Sequence, residues 1–299
     1  MGKILITGAS GRIGSNFIRN LDFLIGKDDE VCLLQNRNPI KKEEINKGNL
    51  SVVYSLPSRR EYDAAFHIAG NIHTSRGDPS KTPENYPEFV RDNLELTERV
   101  CFSARYVLSA STDNVFSGMD NRDYLESDQT NPPNNYYGQT KAEAEKIVLD
   151  NDGAVIRFQS PIGISSNLII DKIIPALEGK PSWPFWNDQY VRPTFFDDLL
   201  SVFKRLYWGN KQGIYHVSCN GVTPSRAGIA RKVLEVFRRY DIPRAKDYIQ
   251  EEPCNDPNFP KRLVLDTQQT REKLGIASFT EVDEAIRLHV LRIKKPEAI

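Results

Sequence analysis

Met1-Gly-Lys-Ile-Leu-Ile-Thr-Gly-Ala-Ser-Gly-Arg-Ile-Gly-Ser15 joins a short apolar run to three glycines spaced three apart, Gly8, Gly11 and Gly14. The run is Ile4-Leu5-Ile6, and beyond the glycines Phe17, Ile18 and Leu21 recur at helical spacing. This pattern predicts a buried strand, a tight turn and a helix start. Glycine tolerates positive φ and lets backbone approach a ligand closely, while the first amides of a helix point at anionic oxygens. A dinucleotide-binding fold holds its pyrophosphate in this way. The spacing is G-x-x-G-x-x-G rather than G-x-G-x-x-G, and other strand-to-helix turns use glycine too. Placement directly behind an apolar strand favours the nucleotide reading.

Val31-Cys-Leu-Leu34 reads as a second buried strand. An acidic residue after it would accept hydrogen bonds from a free ribose 2′-hydroxyl and repel a 2′-phosphate. Gln35-Asn36-Arg37 follows instead, and Arg12 lies in the glycine turn. Two guanidiniums and no acid favour NADP(H) over NAD(H); two solvated arginines are the plainer alternative. Leu50–Tyr54 is a short third strand. Asp63–Gly70 is a fourth, ending in Ala69 and Gly70, where backbone can pass beside a cofactor. His67 reads most simply as a satisfied strand-end histidine. Asn71 to Pro87 is a long loop rich in Pro, Ser, Thr, Asn and Gly, and long loops at strand ends often carry function.

Phe89–Ala104 is a predicted helix with one apolar face, Tyr106–Leu108 a strand running into Ser109-Ala-Ser-Thr112, Lys141–Leu149 a helix and Ala154–Phe158 a strand. Strands alternating with helices imply a Rossmann-type, doubly wound parallel α/β sheet. From Pro161 prolines and tryptophans interrupt regular structure. A helix over 195–208, a strand over 213–218, a helix after Thr223-Pro-Ser, a short strand at 263–265 and a helix over 281–293 follow. The expected organisation is a dinucleotide-binding domain over 1–160, with 190–218 returning to it. A smaller, mainly C-terminal substrate-binding lobe takes 161–189 and 219–299.

The 299 residues carry forty basic and forty acidic side chains, 39% hydrophobic content and 27% charge. That balance is ordinary for a globular protein and points to neither nucleic acid nor an anionic membrane surface. No apolar run approaches the roughly 20 residues of a membrane span, and the N-terminal segment lacks the features of a signal peptide. Cys32, Cys101, Cys219 and Cys254 are scattered without a C-x-x-C pair. A cytoplasmic, reduced protein without a metal site is expected. A homodimer is left open.

The strongest chemical constellation is Asn135-Tyr-Tyr-Gly-Gln-Thr-Lys141, with Tyr137 and Lys141 four apart on one helical face. A free tyrosine, with a pKa of ~10, is a poor base at neutral pH. A neighbouring ammonium favours phenolate and brings it toward working range. The same lysine could reach the ribose hydroxyls of a bound nucleotide. The second piece is Ser109-Ala-Ser-Thr-Asp-Asn-Val-Phe-Ser-Gly118 behind a buried strand, where Thr112 would present its hydroxyl to the reacting oxygen. Thr112 would equally serve as an ordinary turn or capping residue.

These three pieces together resemble the extended short-chain dehydrogenase/reductase superfamily. Further matches are His67-Ile-Ala-Gly70, Asn93, Arg157-Phe-Gln-Ser-Pro-Ile-Gly163, Leu265-Asp-Thr267 and Lys273-Leu-Gly275. The resemblance implies cofactor contacts from Gly8, Ser10, Gly11, Arg12, Ile13, Gly14, Arg37, Ala69, Gly70, Asn93, Tyr137 and Lys141, with catalysis by Thr112, Tyr137 and Lys141. Within the superfamily, Ser111–Gly118 and Arg192-Pro-Thr194 are most similar to the dTDP-4-dehydrorhamnose reductases, which reduce a 4-keto nucleotide sugar. That implies a nucleotide-diphosphate sugar as partner, met by Thr112, Asp113, Asn114 and Arg192. Arg192 suits a diphosphate because a guanidinium binds phosphate bidentately, though it would also serve as a surface arginine. Nucleotide-sugar dehydratases carry Thr-Asp-Glu where this chain has Thr112-Asp113-Asn114, so the base for dehydration is missing. A nucleotide-sugar 4-epimerase with retained NAD and a non-catalytic NADP-binding regulatory subunit remain as alternatives. The 71–87 loop departs from the reductase pattern.

Overall fold

The computed structural model describes residues 2–35, 38–40, 49–71, 83–132, 135–163, 170–255 and 259–299. Arg37 and most of the 71–87 loop lie outside the described residues. The chain divides into two compact units.

The first comprises Met1–Phe116, Gln129–Arg157 and Leu200–Tyr215. Its strands are β1 (Lys3–Thr7), β2 (Glu30–Leu34), β3 (Leu50–Val53), β4 (Tyr62–His67), β5 (Ala104–Thr112), β6 (Ala154–Phe158) and β7 (Gly213–Val217), whose last residues leave the unit. They form one seven-stranded sheet in the order β3-β2-β1-β4-β5-β6-β7. Every pair from β3 to β5 is parallel, with Ile4, Leu5 and Ile6 opposite Val31, Cys32 and Leu33 on one side and Ala64, Ala65 and Phe66 on the other. The apolar run 4–6 has no solvent exposure, as befits a strand covered on both faces. The strand order reverses between β1 and β4, and in such sheets the crevice at the carboxyl ends beside that reversal is the ligand site. The predicted fold class is the one observed.

Three helices of this unit matter for the site: α1 (Arg12–Arg19), α2 (Leu96–Ser103) and α3 (Tyr136–Asp150). Helix α1 packs through Phe17, whose ring meets Phe203 edge-on at 4.7 Å between centroids. Such a contact adds about 0.5–1.5 kcal/mol to the burial of the rings. The predicted helix over 89–104 is composite. A short α-helical turn at Tyr86–Phe89 runs into a π-helical stretch at Val90–Glu95 before α2 begins. The extra residue in a π turn is invisible to a 3.6-residue periodicity. Helix α3 starts five residues earlier than the apolar pattern suggests, because Asn135 caps it: its Oδ1 accepts from the Gly138 amide at 2.8 Å.

The second unit comprises Ser117–Asp128, Phe158–Leu199 and His216–Ile299. The segment 117–128 groups with this unit. Helices α4 (Ile170–Leu177), α6 (Arg226–Arg239) and α7 (Val282–Lys294) surround a core that includes Ile173, Ile229, Val233, Phe237, Ile286 and Val290; α5 (Phe196–Gly209) begins here and enters the first unit at Leu200. Two parallel strand pairs of two residues each complete the unit, Phe185–Trp186 with Glu251–Glu252 and Tyr190–Val191 with Arg262–Leu263. Ser225 caps α6 through the Gly228 amide at 3.1 Å, leaving Pro224 just outside the helix. All four cysteines are buried free thiols. Among the described residues no helix is long and apolar enough to cross a membrane, and no group of three or more His, Cys, Asp or Glu could hold a metal.

Candidate active site

The glycine turn after β1 is closed by its own backbone. Gly8 has φ +75°, and a Cβ there would lie 2.6 Å from the Ala69 amide nitrogen. A Cβ on Gly14 would sit 2.0 Å from the Gly8 carbonyl oxygen. Both positions therefore exclude every other residue. Helix α1 begins at Arg12 with no side chain capping its amides, while Ser10, Gly11 and Arg12 are exposed and Ile13 is half-buried. A tight turn that only glycine can form, with uncapped helix amides at its edge, fits the diphosphate of a nicotinamide dinucleotide.

Threonine and asparagine side chains brace the neighbouring strand ends. His67 is wholly buried, its Nδ1 2.8 Å from Thr7 Oγ1 and its Nε2 2.9 Å from Thr97 Oγ1. Burial pulls its imidazole down to about 3, with the Lys141 charge adding to the effect, so His67 is neutral. Thr7 Oγ1 also accepts from the Ala69 amide at 3.2 Å. Asn93, in the π-helical stretch, is buried. Its Oδ1 accepts from the Asn71 amide at 2.8 Å, and its Nδ2 donates to Thr140 Oγ1 at 2.9 Å. Asn93 thus ties the backbone beyond Ala69 and Gly70 to the first turn of α3.

That first turn presses on the end of β5. A Cβ at Gly138 would lie 2.4 Å from the Asn114 carbonyl oxygen, so glycine is what lets α3 approach. This approach brings Tyr137 to Thr112 and Lys141 to Ala110. The Thr112 hydroxyl lies 3.0 Å from Asp113 Oδ1 and accepts from the Asn114 amide nitrogen and Nδ2, each at 3.2 Å. It is also in hydrogen-bonding contact with the Tyr137 phenol. Lys141 is buried and its Nζ donates to the Ala110 carbonyl at 2.8 Å.

Lys141 was expected to pull the Tyr137 phenol toward neutral pH; the net effect on it is the reverse. Burial raises its pKa above the ordinary value. The Thr112 hydrogen bond opposes that rise, and the Asp113 and Glu145 carboxylates add to it. Lys141 is itself lowered to about 8, by burial, against the opposing charge of Glu145. A neutral phenol is the form that can donate a proton, so the arrangement suits reduction of a carbonyl.

Arg192 belongs to the second unit. Its guanidinium donates to Thr223 Oγ1 at 3.1 and 2.6 Å and lies 3.5 Å from Asp123 Oδ2. Asp123 is shared with Arg262, 2.6 Å away. Gly138 lies within the Asn135–Lys141 stretch and Arg157 within the Arg157–Gly163 match, but beyond the i+4 spacing of Glu145 from Lys141 nothing in the sequence signals the close approach at Gly138 or the pairing of Glu145 with Arg157.

Residues 95–291 match the family described as RmlD substrate binding domain. A dTDP-4-dehydrorhamnose reductase of Burkholderia thailandensis is 24% identical over 92% of this chain and 93% of its own length. The methionine adenosyltransferase 2 subunit beta of Bos taurus is 27% identical over 93% of this chain and 84% of its own. Among solved structures, dTDP-4-dehydrorhamnose reductase from Bacillus anthracis in complex with NADP superposes with a TM-score of 0.73 at 18% identity, over 97% of this chain and 98% of that one. With the parallel sheet and its glycine turn, the family match places the chain in the RmlD substrate-binding-domain family, within the extended short-chain dehydrogenase/reductase superfamily of NAD(P)-dependent oxidoreductases.

Proposed function

We propose that this chain is an NADP(H)-dependent reductase of a keto-sugar nucleotide. The observation that carries the reading is the contact of Tyr137 with Thr112 at the end of β5, with Lys141 held at Ala110 of the same strand, in the unit that also holds the glycine turn. Gly8, Gly11, Gly14 and the uncapped amides of α1 would hold the dinucleotide diphosphate, and Lys141 its nicotinamide ribose. A bound nicotinamide cofactor would supply the hydride that reduces the carbonyl carbon. Tyr137 gives its phenolic proton to the carbonyl oxygen, and Thr112 hydrogen-bonds that oxygen. The Lys141 ammonium then stabilises the phenolate left behind. Asn114 offers an amide where dehydration would need a carboxylate base.

NADPH oxidation against a panel of 4-keto nucleotide sugars tests the reading. Turnover of at least one dTDP-linked ketone is expected, with no dehydration of a nucleotide hexose to its 4-keto-6-deoxy product. Binding of NADPH without turnover of any member would overturn it in favour of a non-catalytic NADP-binding regulatory subunit; one relative is named as a subunit of methionine adenosyltransferase 2.

Preference for the phosphorylated cofactor is supported by exposed Arg12 at the start of α1 and by the absence of a carboxylate after β2, where Gln35 accepts from the Ile40 amide at 3.3 Å. NADPH should bind several-fold more tightly than NADH. Arg12→Ala should weaken NADPH by about tenfold, the loss of one charge-assisted contact, and leave NADH nearly unchanged. Equal weakening of both cofactors in a fluorescence titration would assign Arg12 to the shared part of the dinucleotide instead.

A further inference from the structure

Glu145 stands one helical turn beyond Lys141 and two beyond Tyr137, on the same face of α3. It is a buried carboxylate, only 4% exposed. Its Oε1 accepts from Arg157 Nε at 3.0 Å and from the Ser111 hydroxyl, and its Oε2 accepts from Arg157 Nη2 at 2.7 Å. Arg157, on β6, is 1% exposed and lies over the Phe116 ring, 4.9 Å from its centroid. Two strands and one aromatic ring thus fix a single carboxylate behind the Tyr137–Lys141 pair.

A buried Arg–Glu pair is a weak device for stability, because desolvation cancels much of the attraction. Its placement next to a second buried cation suggests another use. Lys141 Nζ spends one of its three protons on the neutral Ala110 carbonyl. With both oxygens of Glu145 engaged by Arg157 and Ser111, the carboxylate acts on Lys141 through its field and leaves the other protons for ligands. We propose, on the reductase reading above, that Glu145 is a positioning residue: locked by Arg157 and Ser111, its carboxylate keeps Lys141 an ammonium under working conditions.

The other groups around this cation do not supply that charge. His67 on β4 is neutral. Asp113, after β5, hydrogen-bonds Thr112 and Asn114 and acts on Tyr137. Arg157 on β6 has the same sign as Lys141, and Asn93 meets α3 through Thr140 without a charge. Burial alone lowers Lys141, and Glu145 is the opposing influence. Removing the carboxylate should therefore lower Lys141 further and strip its proton at a lower pH.

Two variants test this, Glu145→Gln and the double Glu145→Gln/Arg157→Gln, which removes the Arg157 guanidinium together with its carboxylate partner and so guards against failure to fold. Titration of the Lys141 ε-methylene by NMR in lysine-labelled protein, assigned with Lys141→Arg, reads the charge without substrate. The midpoint should fall by about one pH unit, more in the single variant because Arg157 is then uncompensated. The alkaline limb of kcat/KM should move with it, leaving activity within about twofold of wild type at pH 6 and about tenfold lower at pH 9. An unmoved Lys141 titration with a uniform loss at every pH would overturn the proposal and leave Glu145 a purely structural group. If the wild-type protein reduces no keto-sugar nucleotide, the reductase reading fails, while the NMR titration still decides what Glu145 does to Lys141.

Discussion

Tyr137→Phe should bind NADPH nearly as well as wild type and turn over a keto-sugar nucleotide roughly 10²-fold or more slowly, the scale of a lost positioned general acid. The substitution deletes only the hydroxyl that meets Thr112, and the ring keeps its packing at the start of α3. Because burial raises the phenol's pKa, wild-type Tyr137 is fully protonated in the working range, and the loss should be the same from pH 6 to pH 8. Lys141→Ala should differ in kind. It removes the ammonium that steadies the phenolate and also a ribose contact, so turnover and cofactor affinity should fall together. Tyr136→Phe is the control. Its ring lies 4.7 Å from Tyr86 and 6.4 Å from Phe89 between centroids, in an aromatic cluster, and its hydroxyl has no assigned part in the reaction. Stopped-flow and steady-state rates for the three variants decide the matter. Near-native turnover in Tyr137→Phe with NADPH still bound would remove Tyr137 from the chemistry.

The parts of this site legible in the sequence are those where one residue type is required by backbone geometry or by a fixed helical offset. Gly8 and Gly14 are of the first kind, since each faces backbone atoms closer than any Cβ allows. Tyr137 and Lys141 are of the second. The parallel sheet followed from apolar runs alternating with amphipathic ones, because strands covered on both faces are apolar throughout. The apolar pattern alone puts the start of α3 too late, for a physical reason. Its first turn is set by the Asn135 cap and by contact of Gly138 with the Asn114 carbonyl, a tertiary contact that no local periodicity reports. The π-helical stretch was hidden because one inserted residue changes which side chains share a face without changing composition. Asn93 reaches both Asn71 and Thr140 from that stretch. The sign of the effect on Tyr137 depended on burial, and the i+4 spacing carries no information about how much water surrounds the phenol.

Arg157→Met should cost about 3–5 kcal/mol of stability, the scale for leaving one member of a buried ion pair alone. The guanidinium makes three contacts to Glu145 at 2.7–3.2 Å, with side-chain exposures of 2% and 4% for the two partners. Without Arg157 the carboxylate keeps only the Ser111 hydroxyl and the field of Lys141, neither of which replaces the lost hydrogen bonds. With an urea dependence near 3 kcal/mol per molar, the transition midpoint should drop by about 1 M or more. The double variant Glu145→Leu/Arg157→Met removes both charges and their desolvation cost together, so it should recover most of the loss. An exposed pair such as Arg59–Glu61, with side chains 83% and 39% exposed, should behave otherwise, since solvent screens it and its removal changes little. A small cost for Arg157→Met, comparable with that surface pair, would mean that water satisfies the carboxylate once the arginine is gone. Recovery of stability in the apolar double variant without recovery of turnover would separate the two uses of the pair, showing that the buried charges are kept for Lys141 rather than for folding.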